Sequence, residues 1–187
     1  MQSFIKSIIP YVIILLVVIV IRIFIITPVT VVGSSMYDTL VEDEVLLLSK
    51  ISYKLGDIKR FDVIVIEEPD DSIIKRVYGL PGDKVEYKDN VLYINDEEVE
   101  DGYATNETND FTIRDICASG LENEGLTDEE INEKCDYDTV PDGYYLVLGD
   151  NRKVSLDSRS LGFISEDLIR GKAVFRIFPL DKIGSIS

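Results

Sequence analysis

The sequence predicts a mainly β protein, an antiparallel β-sheet domain with an inserted acidic cap and an N-terminal transmembrane helix. Three observations predict it. Short β-branched runs are punctuated by Gly, Pro, Asn and Asp, the signature of antiparallel strands and tight turns. A run of membrane-spanning length precedes them, Ile8 to Ile26, reading IIPYVIILLVVIVIRIFII. A strongly acidic stretch from Asn95 to Asp142 interrupts them, with seventeen Asp and Glu against Arg114 and Lys134, a net of −15 in a chain of 187 residues and net charge −16.

The elements follow in order. About 20 apolar residues span a bilayer, and Ile8–Ile26 has that length with one charge, Arg22, near enough to its end to snorkel. No small-x-small cleavage site follows; the next residues are Thr27-Pro28-Val29-Thr30-Val31-Val32. An uncleaved anchor over residues 1–27 is therefore expected, ahead of a domain over 28–187. Lys6 and the α-amine lie before the run and Arg22 lies near its end, so the positive-inside count only mildly favours the N-terminus inside.

Strands are expected at Val29–Val32, Glu44–Leu48, Asp62–Ile66 and Ser72–Tyr78. Val85–Tyr87 and Val91–Ile94 alternate around Asp89-Asn90, a hairpin turn, and Asn95-Asp96 turns into a short strand near Val99. Strands resume at Tyr144–Leu148 and Ala173–Phe178. Between them, the insertion at about 96–141 carries Thr127-Asp128-Glu129-Glu130, a capping box that starts a short helix running to about Cys135. Cys117 and Cys135 lie in the same insertion, either bridged or as free thiols; a bridge would persist if this part faces the outside.

Composition also excludes functions. A strongly acidic surface argues against nucleic acid, whose phosphates need Lys and Arg. The chain has no histidine. A Ser-His-Asp triad, a Cys-His pair and a His-based zinc site are all excluded, two cysteines alone make a poor metal site, and no metal or cofactor is expected. Serine chemistry would need another base, and a lysine with a depressed pKa is the substitute. Ser35 lies in Gly33-Ser34-Ser35-Met36 at the end of a strand-like run, and Lys75 lies in Ile73-Ile74-Lys75-Arg76-Val77. Alone, Ser35 is an ordinary turn serine. An unperturbed lysine titrates near about 10.4 and is no base at neutral pH. Lys75 is flanked by Ile73, Ile74, Val77 and Tyr78, so burial would disfavour its ammonium.

Three blocks, taken together, resemble a family, the type I bacterial signal peptidases in their short single-anchor form. Ser35, Met36, Thr39 and Leu40 match its nucleophile block; Lys75, Arg76, Gly79, Pro81, Gly82 and Asp83 match its lysine block; Gly149 to Arg152 with Ser155, Asp157, Ser158 and Arg159 match its last block. The resemblance implies a membrane-anchored serine endopeptidase that removes signal peptides from exported preproteins through an acyl-enzyme. It implies Ser35 as nucleophile, Lys75 as base and Ser155 as the hydroxyl that aims the lysine. Asp157 and Arg159 are implied as a brace, and Arg76 as a supporting group. The oxyanion would lean on backbone N–H, that of Ser35 next to Gly33. Val29, Val31, Met36, Leu40, Ile73 and Ile74 match pocket-lining positions for an extended substrate. The implied partners are preproteins and the lipid bilayer, with the peptidase domain on the extracellular side and the protein a monomer.

Two residues depart from the pattern. Asp38 stands where the family has proline, freeing the turn and placing a carboxylate near the site; Gly33 stands where some relatives have serine. The alternatives are a dedicated peptidase for pilins or conjugation proteins, and a non-catalytic anchored module that binds exported chains. Soluble self-cleaving repressors share Ser-Lys chemistry but lack an anchor, and the histidine-dependent branch of the family is excluded by composition.

Overall fold

The computed structural model describes residues 2–69, 71–123 and 125–186, and the side chains of residues 2–7, 20–24, 54 and 55 lie outside the description. Helix α1 spans Gln2–Phe24 and runs into strand β1, Ile26–Thr30. The helix covers most of the expected anchor, and its described side chains, residues 8–19, are all exposed. Among the described residues no helix is long and apolar enough to cross a membrane. Lys6 and Arg22, whose charges bear on the orientation of the anchor, fall outside the described side chains.

The remaining elements are β2 (Val45–Ser49), α2 (Ser52–Leu55), β3 (Val63–Glu67), β4 (Ser72–Gly79), β5 (Val85–Lys88), β6 (Val91–Ile94) and β7 (Glu97–Val99). They continue with α3 (Ile113–Asn123), α4 (Asp128–Lys134), β8 (Tyr144–Leu148), α5 (Ser158–Leu161), β9 (Ile164–Ser165), β10 (Ile169–Phe178) and β11 (Gly184–Ser185). The main sheet runs β1-β2-β10-β3-β4-β8-β9 with β11 added on β10, and β5-β6-β7 form a second sheet. The pairings between these strands are antiparallel, as the alternating runs predict.

Period-2 geometry explains why β3 is buried on both faces. Val63 and Val65 enter one core with Val31, Met36, Leu40, Leu46, Leu48 and Ile74. Ile64 and Ile66 enter another with Ile58, Val77, Tyr145 and Val147. A third core fills the space between the two sheets, from Tyr78, Leu146 and Leu148 to Tyr87, Leu92 and Ile94. Asp89 and Asn90 both take positive φ, 51° and 63°, which a two-residue hairpin turn of this kind requires.

The acidic segment is more ordered than the sequence reading gives. The Thr127 capping box forms and starts α4 as expected. A second helix, α3, was not expected. Cys117 on α3 and Cys135 just past α4 are bridged, with Cα atoms 5.8 Å apart, and they pack with Ile131 against Leu121, Leu126 and Phe163. The strand near Val99, β7, lies within the expected insertion and pairs with β6 of the second sheet.

Candidate active site

Ser35 occupies the turn that follows β1. Met36 and Leu40, 2% and 0% exposed, pin this turn into the core beneath it, and the Leu40 N–H donates to Met36 O at 2.8 Å. Burying two apolar side chains from five residues fixes the turn without help from regular structure. Gly33, with φ +79°, reverses the chain just before it. The peptide bond between Tyr37 and Asp38 is cis.

Lys75 lies midway along β4, opposite Ile64 of β3, and is 3% exposed. Its Nζ lies 2.8 Å from Ser35 Oγ and donates to it. When the amine is neutral, the same separation lets the Ser35 hydroxyl donate to the nitrogen lone pair. Burial pushes the Lys75 amine down to about 8, against the pull of the Asp157 and Asp150 carboxylates and, more weakly, Glu68; Arg159 adds to the downward push. Asp38 is exposed and is not among these charges, so the carboxylates that act on the amine are not the one the sequence reading singled out.

The loop after β8 meets the serine from the other side. Asp150, buried, accepts from Arg76 Nε at 3.0 Å and Arg76 Nη2 at 2.8 Å, and from Thr39 Oγ1 at 2.5 Å. The Tyr103 ring covers the Arg76 guanidinium at 3.7 Å. Asn151 then donates from its N–H to Ser35 O at 2.9 Å and from Nδ2 to Ser34 O at 3.2 Å. Asp157, the N-cap of α5, accepts from Gly149 N at 2.9 Å and from Arg159 Nε and Nη2, each at 2.8 Å. A Cβ on Gly149 would fall 2.2 Å from Ser155 Oγ and 2.6 Å from Ser35 O, so only glycine lets this loop close on the serine.

The structure thus brings Ser35, Lys75, Arg76, Asp157 and Arg159 into one neighbourhood. Ser155 is also there, but its Oγ is buried without a hydrogen-bond partner, so the expected bond from Ser155 to Lys75 is not formed. A cleft of about 80 Å³ opens beside Ser35 and Lys75, and Val31, Met36, Ile73 and Ile74 line it together with Gly33. Val29 and Leu40 do not line this cleft. Leu40 is fully buried beneath the turn and Val29 packs on the same core, so these two expected pocket residues act as support. Among the described residues no carbonyl accepts from the Ser35 N–H. No group of three or more His, Cys, Asp or Glu among the described residues is placed to hold a metal ion.

Thr39 and Asn151 were visible only as motif letters; Tyr103, in the acidic segment, carried no signal. What the arrangement offers chemically is a hydroxyl hydrogen-bonded to a buried amine of lowered pKa, beside a small cleft that Asp71 and Ser72 line along with its apolar residues.

The family model described as signal peptidase, peptidase S26, matches residues 2–178. A signal peptidase IB of Staphylococcus aureus is 39% identical over 164 residues, which cover 85% of this chain and 81% of that protein. A signal peptidase I of Bacillus caldolyticus is 37% identical over 171 residues, covering 91% and 89%. The crystal structure of a signal peptidase I from Enterococcus faecalis is 36% identical and covers 63% of this chain and 97% of its own, with a TM-score of 0.46.

Proposed function

The chain belongs to the signal peptidase, peptidase S26, family, and on that premise we propose that Ser35 is its nucleophile and Lys75 its general base. The protein is a serine endopeptidase that removes signal peptides from preproteins. The observation that carries the assignment of these two residues is the 2.8 Å separation of Lys75 Nζ and Ser35 Oγ in a chain without histidine.

Neutral Lys75 takes the proton of Ser35 as Oγ attacks the scissile carbonyl. The resulting oxyanion is met by the Ser35 N–H, which no carbonyl among the described residues claims, with Gly33 leaving open space beside it. Lys75 then passes its proton to the departing amine, the acyl-enzyme forms, and the same lysine activates the water that hydrolyses it. Arg76 and Asp150 hold the last loop, and Asp157 with Arg159 holds its continuation. Val31, Met36, Ile73 and Ile74 give a cleft of about 80 Å³, a size suited to a small side chain next to the cut.

Residues 1–27 serve as a single membrane anchor, with the peptidase domain, residues 28–187, on the extracellular side as a monomer. The described residues Ile8–Ile19 expose apolar side chains on every face, which suits lipid and not water. The Cys117–Cys135 bridge suits an oxidising compartment. Residues 96–141 form the acidic cap.

Detergent-solubilised protein incubated with a preprotein, followed by mass analysis of the products, tests the reading. Cleavage at the end of the signal peptide is expected, with none by Ser35→Ala of unchanged fold. Turnover by a pure Ser35→Ala preparation refutes the assignment.

A further inference from the structure

We propose that Asn106, on the acidic segment, is a positioning residue for the nucleophile and acts through the side chain of Asn151. The inference rests on Ser35 being that nucleophile.

Residues 101–108 form no helix or strand, yet they are tied along their length to the loop after β8. Asp101 accepts from Tyr78 Oη at 2.7 Å, from Tyr87 Oη and from Arg152 Nη2 at 2.5 Å. Thr105 donates from its N–H to Asp150 O at 2.9 Å, and its hydroxyl lies 3.2 Å from Asp150 O and 3.3 Å from Tyr37 O. Asn106 Nδ2 donates to Thr105 Oγ1 at 2.7 Å and to Asn151 Oδ1 at 3.0 Å. The acidic segment therefore touches the loop that holds the serine, two residues from it at Tyr37 and one side chain away at Asn151.

The polarity of this chain of bonds is forced. Ser34 O is a carbonyl and can only accept, so Asn151 must present Nδ2 to it. That turns Asn151 Oδ1 toward Asn106, which must then donate. The two amide hydrogens of Asn106 are used, one on Thr105 Oγ1 and one on Asn151 Oδ1. The orientation of Asn151 is thus set from both ends, and its backbone N–H is held on Ser35 O at the same time. A nucleophile whose own carbonyl is held in this way keeps Oγ on Lys75 with little wander.

The two simplest substitutions differ in a way that mere packing does not predict. Asn106→Ala removes the donor and leaves Asn151 Oδ1 to water. Asn106→Asp puts an acceptor against Asn151 Oδ1. The amide must then flip to satisfy the new carboxylate, which sets its oxygen against Ser34 O and breaks that bond. The carboxylate variant is therefore the worse of the two, although it is the closer in shape.

The test uses the full chain in detergent, with kcat and KM on a preprotein and thermal midpoints by circular dichroism. Loss of one or two neutral hydrogen bonds predicts kcat lower by about threefold for Asn106→Ala and about tenfold for Asn106→Asp, with KM within about twofold. Melting midpoints fall by only a few degrees, the cost of those same hydrogen bonds, and both variants are fully folded at the assay temperature. In an Asn151→Ala background, Asn106→Asp adds no further loss, because the residue through which it acts is gone. The inference is overturned by unchanged kcat in both variants, by Asn106→Asp equal to or faster than Asn106→Ala, by losses that unfolding at the assay temperature accounts for, or by additive losses in the Asn151→Ala background. Failure of the nucleophile assignment is distinct, since it shows as cleavage surviving Ser35→Ala.

Discussion

Replacing Lys75 by methionine should make the protein inactive and, at neutral pH, more stable. The Lys75 amine is pushed from 10.5 to about 8 in the folded chain. At 1.36 kcal/mol per unit, this shift means that the folded state holds the ammonium about 3 kcal/mol less well than the unfolded chain does. The group is depressed on folding, so the unfolded chain binds more protons between pH 8 and 10.5, and stability rises with pH across that window. Below pH 8 both states are protonated and the penalty is present in full. Methionine fills a similar volume without a charge and removes the penalty, while giving up one hydrogen bond to Ser35 of about 1 kcal/mol. The variant should therefore be more stable than wild type by about 2 kcal/mol at pH 7 and lose that advantage by pH 10.5.

Urea melts of both proteins, followed by far-ultraviolet circular dichroism because the chain has no tryptophan, give the difference at each pH. The same titration appears in the kinetics. With a group at about 8, about a tenth of the amine is neutral at pH 7 and about nine tenths at pH 9, so kcat/KM of wild type should rise about tenfold between them. A stability difference that stays flat from pH 7 to 10.5, or a rate that does not change between pH 7 and 9, would refute burial as the device that makes Lys75 a base.

Other residues of the site give sharper mechanical outcomes. Gly149→Ala should lower kcat about a hundredfold, because a methyl group that collides with Ser155 Oγ and Ser35 O displaces the nucleophile by a good part of an ångström, whereas Gly184→Ala, which meets nothing within 4 Å, should not; equal rates for the two would contradict it. Asp150→Asn leaves the buried Arg76 guanidinium short of its countercharge and should cost about 3 kcal/mol in a urea melt. It also removes a charge that raises the Lys75 pKa, so the acid limb of kcat/KM should move below pH 8; a limb that moves up would reverse the sign of the argument. Asp38→Pro should raise the rate a few-fold near neutral pH by stiffening the turn, and should leave the acid limb in place because Asp38 is not among the charges acting on Lys75; a slower, well-folded variant would show the aspartate to be adaptive.

The strands were legible because their signals are local. Val63 to Ile66 form a continuous β-branched run, and Asp89-Asn90 supplies the positive φ of a hairpin, so strand and turn follow from the residues themselves. Helix α3 also has a local signal. Ile113, Ile116, Cys117, Gly120 and Leu121 repeat at helical spacing, and Asp115 accepts from the Thr112 N–H at 2.7 Å, three residues back. It hid in a stretch whose charge suggested a solvated loop. The division of labour among the apolar residues near Ser35 was not legible at all. Val31 and Met36 line the cleft while Val29 and Leu40 do not, and that depends on how the turn sits over the sheet. The bridge between Cys117 and Cys135 is likewise a matter of where two helices meet.

The lysine presents a deeper problem, because a buried amine beside two aspartates ought to stay charged. Asp157 and Asp150 both pull the Lys75 pKa up. Yet each is already committed to an arginine in a two-pronged pair: Asp150 to Arg76 at 3.0 and 2.8 Å, Asp157 to Arg159 at 2.8 and 2.8 Å. A carboxylate held this way presents a much smaller net field to a third group, since the guanidinium charge sits against it at contact distance. Arg159 also acts on Lys75 directly, in the direction of the neutral amine. Burial is then left as the dominant influence. The two arginines of the motif therefore do more than brace loops. They let the fold keep aspartates close to the site, where Gly149 N and Thr39 Oγ1 need acceptors, without returning Lys75 to an ammonium that could not take the proton of Ser35.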